Sequence, residues 1–188
     1  MSKQKLLDEI AKEIVACKVC KTGKVGKAVS GEGNPNAKIV FVGEVPGRTE
    51  GETGRPFIGR SGQYLTRLIE SIGLSRKDVF ITSPVKYFPV AGNKGRAPTD
   101  AEIAHGKTHF DKQLEIINPK VIVLLGRVAA KAVLGELVPI AKVHGTTIKK
   151  NGKKYFFVYH PAAAIRFQKI KPLIEGDFKK LKIILKKI

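Results

Sequence analysis

The chain has 188 residues, 43% of them apolar, a length that suits one globular domain spanning residues 1–188 with a single core. Lysine and arginine number 35 against 16 acidic residues, and the net charge of +19 favours a polyanionic partner, nucleic acid first, although heat-adapted proteins also carry lysine-rich surfaces. No stretch is long and apolar enough to be a signal peptide or a membrane span, so we expect an intracellular, cytoplasmic protein. We also expect a monomer.

Four short, nearly continuous apolar runs predict strands that are covered on both faces. They occupy residues 37–44, 79–83, 121–126 and 155–160. Helical patterns precede, separate and follow them, over residues 4–16, 61–74, 99–117, 127–137 and 177–188, and a glycine- and lysine-rich connection covers residues 21–37. This alternation predicts a three-layer α/β/α fold with a central four-stranded, mainly parallel sheet.

The ends of the predicted strands are the first place to look for a site, because ligands of parallel sheets bind beyond the carboxyl ends of the strands. The four strands end in Glu44, Ser83, Gly126 and His160, which should therefore line one rim. A single histidine after a strand is often structural. Its expected position on the same rim as Glu44 favours a functional site.

One loop carries an unusual concentration of turn and charged residues. The segment GEVPGRTEGETGRPFIGRSG, residues 43–62, contains six glycines, two prolines and three carboxylates between a strand and a helix. Glycines at this density indicate a shaped loop in which the backbone approaches other groups closely. Neither GxxxxGK[ST] nor GxGxxG occurs in the chain, which argues against a nucleotide cofactor.

That loop and the segment HPAAAIR, residues 160–166, resemble the uracil-DNA glycosylase superfamily, most closely its family 4, the thermostable iron–sulfur branch. VFITSPVK (79–86), INPKVIVLLGRVAAKAVLG (117–135) and the N-terminal CxxC support the resemblance, which covers roughly residues 4–182. It implies a monofunctional enzyme of DNA repair that flips a deaminated base, first of all uracil, out of DNA and hydrolyses its N-glycosidic bond. The alternatives are a glycosylase-fold protein that binds DNA without cutting, and a basic protein acting on free nucleotides or RNA.

The resemblance also implies the catalytic pair. Glu44 would orient water and face the sugar as it gains positive charge, and His160 would donate a hydrogen bond to the departing base.

Other residues would bind the base and the DNA. Phe57 would stack on the flipped base unless it is a plain core residue, Glu50 would border the pocket and exclude larger bases, and Ile165 would enter the duplex as an apolar wedge. The implied base-binding residues are Val45, Glu50, Phe57 and Ser83, and the implied DNA-binding residues are Arg60, Ala162, Ile165 and Arg166.

Ser83 departs from the family pattern, because family 4 typically carries an asparagine there that reads the uracil edge. A serine hydroxyl cannot make the same two-point contact, so the preferred base is left open.

The second departure concerns the cluster cysteines. Cys17 and Cys20 are the only cysteines, and Tyr87 and Gly106 occupy the positions of the other two family ligands, so we expect no [4Fe–4S] cluster, no other cofactor, and a remnant CxxC as reduced thiols or a local disulfide. We expect Tyr87 to fill the vacated volume.

A zinc site formed by Cys17, Cys20, His105 and His109 is the alternative for this region. Helical geometry argues against it. Gly106 lies about 60° from the apolar Ile103, toward the core, whereas both histidines fall roughly on the opposite face of the helix.

Overall fold

A computed structural model describes residues 1–187, and its centre is a six-stranded sheet with helices on both faces. The strands are β1 Lys24–Val25, β2 Glu32–Gly33, β3 Ile39–Val42, β4 Phe80–Thr82, β5 Phe88–Ala91, β6 Lys94–Gly95, β7 Val121–Leu125, β8 Thr147–Lys150 and β9 Lys153–Val158. The helices are α1 Lys3–Ala16, α2 Lys18–Lys21, α3 Arg48–Thr53, α4 Arg60–Ser71, α5 Asp100–Ile117, α6 Arg127–Leu134, α7 Ile140–Val143, α8 Pro161–Arg166 and α9 Lys171–Leu185, with a 3-10 turn at Gln168–Ile170 before α9.

The prediction of a four-stranded sheet is wrong in strand number. The four predicted strands are present as parallel neighbours in the order β4-β3-β7-β9, and β2 and β8 add antiparallel strands at the two edges. Neither edge strand has an apolar run: β2 is two residues within the glycine-rich connection, and all four residues of β8 are exposed. Strands β1, β5 and β6 form a separate three-stranded sheet.

Three helices also differ from their predicted bounds. Helix α4 ends at Ser71, three residues before the predicted Leu74. Helix α6 ends at Leu134 because Gly135 adopts a φ of 85° and caps it. Helix α9 begins at Lys171, earlier than predicted, with Pro172 in its first turn. The predicted last helical residue, Ile188, lies outside the described residues.

Alternating strand residues build two cores, one on each side of the sheet. Phe41 stacks on Phe178 of α9 with ring centroids 5.9 Å apart, and the core on this side also includes residues of α4. Val40 and Val42 pack on the other side among residues of α1, α5 and α6. Burial on both faces explains why these strands are continuously apolar, and it brings their carboxyl ends to one edge. None of the helices within residues 1–187 combines the length and apolarity that crossing a membrane requires.

Candidate active site

The loops after β3, β4 and β9 surround a cavity of about 200 Å³ at the carboxyl edge of the sheet. Five residues predicted from sequence line this cavity: Val45, Glu50, Phe57, Ser83 and His160. Val29, Phe88 and Ser61 also line it, and nothing in the sequence singled them out.

Phe57 is held in an unusual backbone conformation at the wall of the cavity. Its φ is 51°, which is rare for an aromatic residue, and its ring centroid lies 5.8 Å from that of His160 at an interplanar angle of 32°. A Cβ at Gly43 would meet the Phe57 ring at 2.5 Å, and a Cβ at Gly62 would overlap the Phe57 carbonyl. Both glycines are therefore needed where they stand, because any side chain would displace Phe57.

An arginine that the sequence did not single out fixes the backbone around Phe57. Arg76 donates to the carbonyl oxygens of Phe57 at 3.0 Å and Pro56 at 2.8 Å, and it contacts the Glu32 carboxylate at 3.2 Å. Arg55 forms two further hydrogen bonds to Glu32, at 2.6 and 2.9 Å. These contacts compensate for the strain that a positive φ imposes on a bulky residue.

Glu50 is buried, and its carboxylate organises the glycine-rich loop. It accepts hydrogen bonds from the backbone N–H groups of Gly47 at 3.1 Å, Ile58 at 3.0 Å and Gly59 at 2.8 Å. The side chain therefore closes the loop on itself while one side of it lines the cavity.

His160 follows β9 and is the N-cap residue of α8. Its Nδ1 accepts a hydrogen bond from the Ala162 N–H at 3.1 Å, so the proton of the neutral ring is on Nε2. Burial lowers the pKa of His160 to about 4, against the opposing influence of the Glu50 carboxylate. At neutral pH the ring therefore offers an uncharged Nε2–H donor.

Glu44 follows β3 and lies half-buried on the same edge of the sheet. Burial raises the pKa of Glu44 above 4.5, and the guanidinium of Arg127 opposes that rise. Among the described residues, its neighbours Val45 and Pro46 line the cavity, and Glu44 does not. Glu44 follows β3, two strands from β9 and His160, so the two predicted catalytic residues lie on one edge of the sheet but do not share the cavity.

Ser83 is buried at the end of β4 with its hydroxyl donating to the Val85 carbonyl at 2.8 Å. Toward the cavity its oxygen can therefore only accept. Beside it, the fully buried Lys86 donates to Thr82 Oγ1 at 2.9 Å and to Gln113 Oε1 at 2.8 Å, which ties α5 to β4.

The four residues predicted to bind DNA line one shallow groove beside the cavity. Arg60 belongs to α4, while Ala162, Ile165 and Arg166 belong to α8. Ile165 is 36% exposed, and Phe167, which the sequence did not single out, is 51% exposed. This groove therefore has two arginines and the apolar Ile165 on its walls.

Comparison with known proteins gives the family. The profile of the Uracil DNA glycosylase superfamily matches residues 30–182. The type-4 uracil-DNA glycosylase of Sulfurisphaera tokodaii is 41% identical over 186 residues, which cover 94% of this chain and 83% of the relative. The type-4 uracil-DNA glycosylase of Archaeoglobus fulgidus is 41% identical over 184 residues, 93% of this chain and 91% of the relative. The chain belongs to the uracil DNA glycosylase superfamily.

A solved structure has a similar fold. Wild-type SMUG2 of Pedobacter heparinus superposes with a TM-score of 0.59 at 17% identity, covering 80% of this chain and 77% of that one. A likeness at this identity supports the α/β fold alone. Type-4 enzymes are known for iron–sulfur clusters, so the CxxC region of this chain is where the fit of such a cluster can be tested.

The four-thiolate cluster of that branch does not fit this chain. Tyr87 is buried in one cluster with Cys20, Ile10 and Ile14, so its ring occupies volume beside the CxxC. At Gly106 any Cβ would clash with the Pro84 carbonyl. Both cysteines are free, and two thiolates among residues 1–187 are half of what a [4Fe–4S] cluster usually takes.

The expectation that both histidines point away from the CxxC is wrong. The ligand atoms of Cys17, Cys20, His105 and His109 all lie within 4.8 Å of one another. The apolar Ile103 is only half-buried, whereas Gly106 and His109 are buried, and at 100° per residue these two lie about 60° apart. The buried face of α5 thus extends past Gly106 to the side covered by α1 and α2, because the helix packs against those two helices as well as the sheet.

Proposed function

We propose that the protein is a monofunctional DNA glycosylase that removes uracil from DNA and leaves an abasic site. The observation that carries the proposal is the single cavity in which Phe57 and the neutral Nε2–H donor of His160 meet. The relatives named above are uracil-DNA glycosylases, and the chain covers most of their length.

The charges of the site match the charges of the reaction. Cleavage of the N-glycosidic bond leaves positive charge on the sugar and negative charge on the base, while water attacks the anomeric carbon. His160 Nε2 donates to a base oxygen as that oxygen gains charge. Glu44, ionised above its raised pKa, holds the water and faces the cationic sugar.

The cavity walls explain how a flipped pyrimidine would be held. The ring of Phe57 stacks on the base, Val45 covers it from the loop, and the Ser83 oxygen accepts from the base N3–H. The carboxylate of Glu50 already accepts hydrogen bonds from three backbone N–H groups. It therefore limits the size of the pocket as a fixed wall and does not reach out to bind the base.

The neighbouring groove would hold the duplex. Arg60 and Arg166 contact phosphates, Ala162 approaches the backbone, and Ile165 fills the space that the flipped base leaves. No step of the reaction requires a metal or cofactor. We propose that the protein acts as a monomer on DNA inside the cell.

An oligonucleotide assay tests the proposal. We expect an end-labelled strand containing one uracil to break only after alkali treatment, since the enzyme leaves an abasic site. His160→Ala should lower the single-turnover rate about 10²- to 10³-fold with nearly unchanged DNA affinity, and Glu44→Ala should also lower it.

Glu115→Ala is the matched control, because Glu115 is exposed on α5 and lies outside the cavity. Binding without strand breakage at any of uracil, hypoxanthine, xanthine or mismatched thymine would identify a DNA-binding protein and overturn the enzyme proposal. Full activity in both the Glu44 and His160 variants would overturn the residue assignment.

A further inference from the structure

We propose that Cys17, Cys20, His105 and His109 bind one zinc ion that fastens the N-terminal helices to α5. Cys17 lies between α1 and α2, Cys20 lies in α2, and the two histidines are one turn apart on α5. The Cys17 Sγ is 3.1 Å from His105 Nε2, and all four ligand atoms fall within 4.8 Å of one another. Donors on separate helices thus converge on one point.

The spacing of these atoms suits a single ion. Bonds of about 2.3 Å to sulfur and 2.0–2.1 Å to nitrogen at tetrahedral angles place neighbouring ligand atoms roughly 3.3 to 3.8 Å apart. The observed separations need only small side-chain adjustments to reach that geometry. A cubane cluster, by contrast, binds each thiolate to a different iron and needs its ligands farther apart.

His109 gives an independent indication that something is bound here. The residue is 9% exposed, and neither of its ring nitrogens has a hydrogen-bond partner among residues 1–187. Leaving a buried polar group unpaired costs on the order of 1–3 kcal/mol, so native proteins rarely do so. A metal bond to one of these nitrogens removes that cost.

A carboxylate stands where an outer partner of the histidine would be. Glu13 Oε2 of α1 lies 3.8 Å from His109 Nδ1, which leaves Nε2 as the nitrogen available to bind the ion. Metal-binding histidines commonly pair their second nitrogen with a carboxylate that fixes the ring. Lys112 holds Glu13 in place through an ion pair of 2.8 Å.

The donor set selects the metal. Two thiolates and two imidazoles in a tetrahedral arrangement are typical of structural zinc, and four protein ligands leave no position for a substrate. The CxxC spacing and the HxxxH spacing on one helix face match such sites. A cavity of about 180 Å³, lined by Cys20 and His105, provides an entry path. Binding releases the protons of both thiols.

Metal analysis of the untagged full-length protein tests the proposal, and its outcome does not depend on glycosylase activity. We expect one zinc and no stoichiometric iron per chain. CoCl₂ added to the metal-free protein should give the visible absorption of a tetrahedral cobalt–thiolate site. ZnCl₂ should raise the melting temperature of the metal-free protein.

Two variants on the same helix sharpen the test. His109→Phe should lose zinc and the stabilisation by ZnCl₂, whereas Glu115→Ala, exposed on the same helix and away from the four ligands, should keep both. If the site binds no metal, His109→Phe only removes an unpaired polar group, and the variant should melt at a higher temperature than the wild type as purified. That result would overturn the proposal. A zinc-free wild type that ZnCl₂ does not stabilise, or a brown protein with about four irons per chain, would also overturn it.

Discussion

One backbone hydrogen bond fixes the proton of the His160 ring. The Ala162 N–H occupies Nδ1, and burial lowers the pKa of His160 to about 4, so the residue stays neutral with its proton on Nε2. Glu44 on the same edge has a raised pKa for the same physical reason, loss of water. In the proposed mechanism, burial keeps the His160 donor uncharged, and the ionisation of the Glu44 carboxylate should control the rate.

The pH dependence of the single-turnover rate should therefore have an acid limb only. As pH falls through the raised pKa of Glu44, above 4.5, the carboxylate gains a proton and the rate drops. His160 is neutral well above about 4, so its titration should cause no loss between about pH 6 and 8. Glu44→Gln should lower the rate about 10²-fold or more and remove the acid limb. A rate that falls as pH rises through 6.5 would instead mean that charged His160 is the donor.

Ser83 should control the choice of base. Ser83→Asn provides an amide that both donates and accepts, and we expect it to raise the ratio of kcat/KM for uracil over hypoxanthine about ten-fold or more. Ser83→Ala, which removes the oxygen without adding volume, serves as the comparison. Equal base ratios in wild type, Ser83→Asn and Ser83→Ala would show that the backbone alone selects the base.

Among the elements, the segment between β3 and α4 is the one whose backbone geometry the site depends on. Phe57 adopts a positive φ between two glycines, and Arg76 and Glu50 hold the backbone on either side. The position of the Phe57 ring, which we propose stacks on the base, is thus fixed in the protein without a bound base.

Gly62→Ala should disturb this loop. The new Cβ would overlap the Phe57 carbonyl, so we expect a loss of roughly 1–3 kcal/mol in the free energy of unfolding and a large drop in single-turnover rate. Gly176→Ala is the control, since a Cβ there meets nothing within 4 Å in the middle of α9 and should stabilise by up to about 1 kcal/mol without changing the rate. Denaturant unfolding and the oligonucleotide assay measure the two effects, and a fully active Gly62→Ala would contradict the loop's role.

The sequence predicted the elements that its patterns could encode. Apolar runs gave the four central strands, and their ends located His160, Ser83 and the glycine-rich loop. The edge strands β2 and β8 were missed because two residues, or a run such as TIKK, carry no apolar pattern. His109 was misplaced because the pattern of α5 does not reveal that α1 and α2 cover a second side of that helix. Arg76 was missed because the groups that it fixes beside the cavity are the backbone carbonyls of Pro56 and Phe57, which leave no trace in sequence.

On the scale of the whole molecule, the net charge of +19 predicts strong, salt-dependent binding to DNA of any sequence. Arg60→Ala and Arg166→Ala should each weaken binding to undamaged duplex and reduce the slope of log K against log salt by about 1. Lys150→Ala is the control, because Lys150 pairs with Lys153 at the start of β9, whereas the groove lies beyond the end of that strand. Fluorescence anisotropy over a range of NaCl concentrations measures the slopes. An equal effect from Lys150→Ala would mean that binding follows overall charge and not the groove.

The edges of the central sheet bear on how the protein behaves when crowded. On one side β2 offers only two residues, and on the other β8 is fully exposed with two lysines in four residues. A strand of a neighbouring chain could form too few backbone hydrogen bonds with β2 to extend the sheet there, and at β8 it would meet the charges of two lysines. The outer strands, absent from the apolar pattern of the sequence, thus protect the sheet from growing into aggregates.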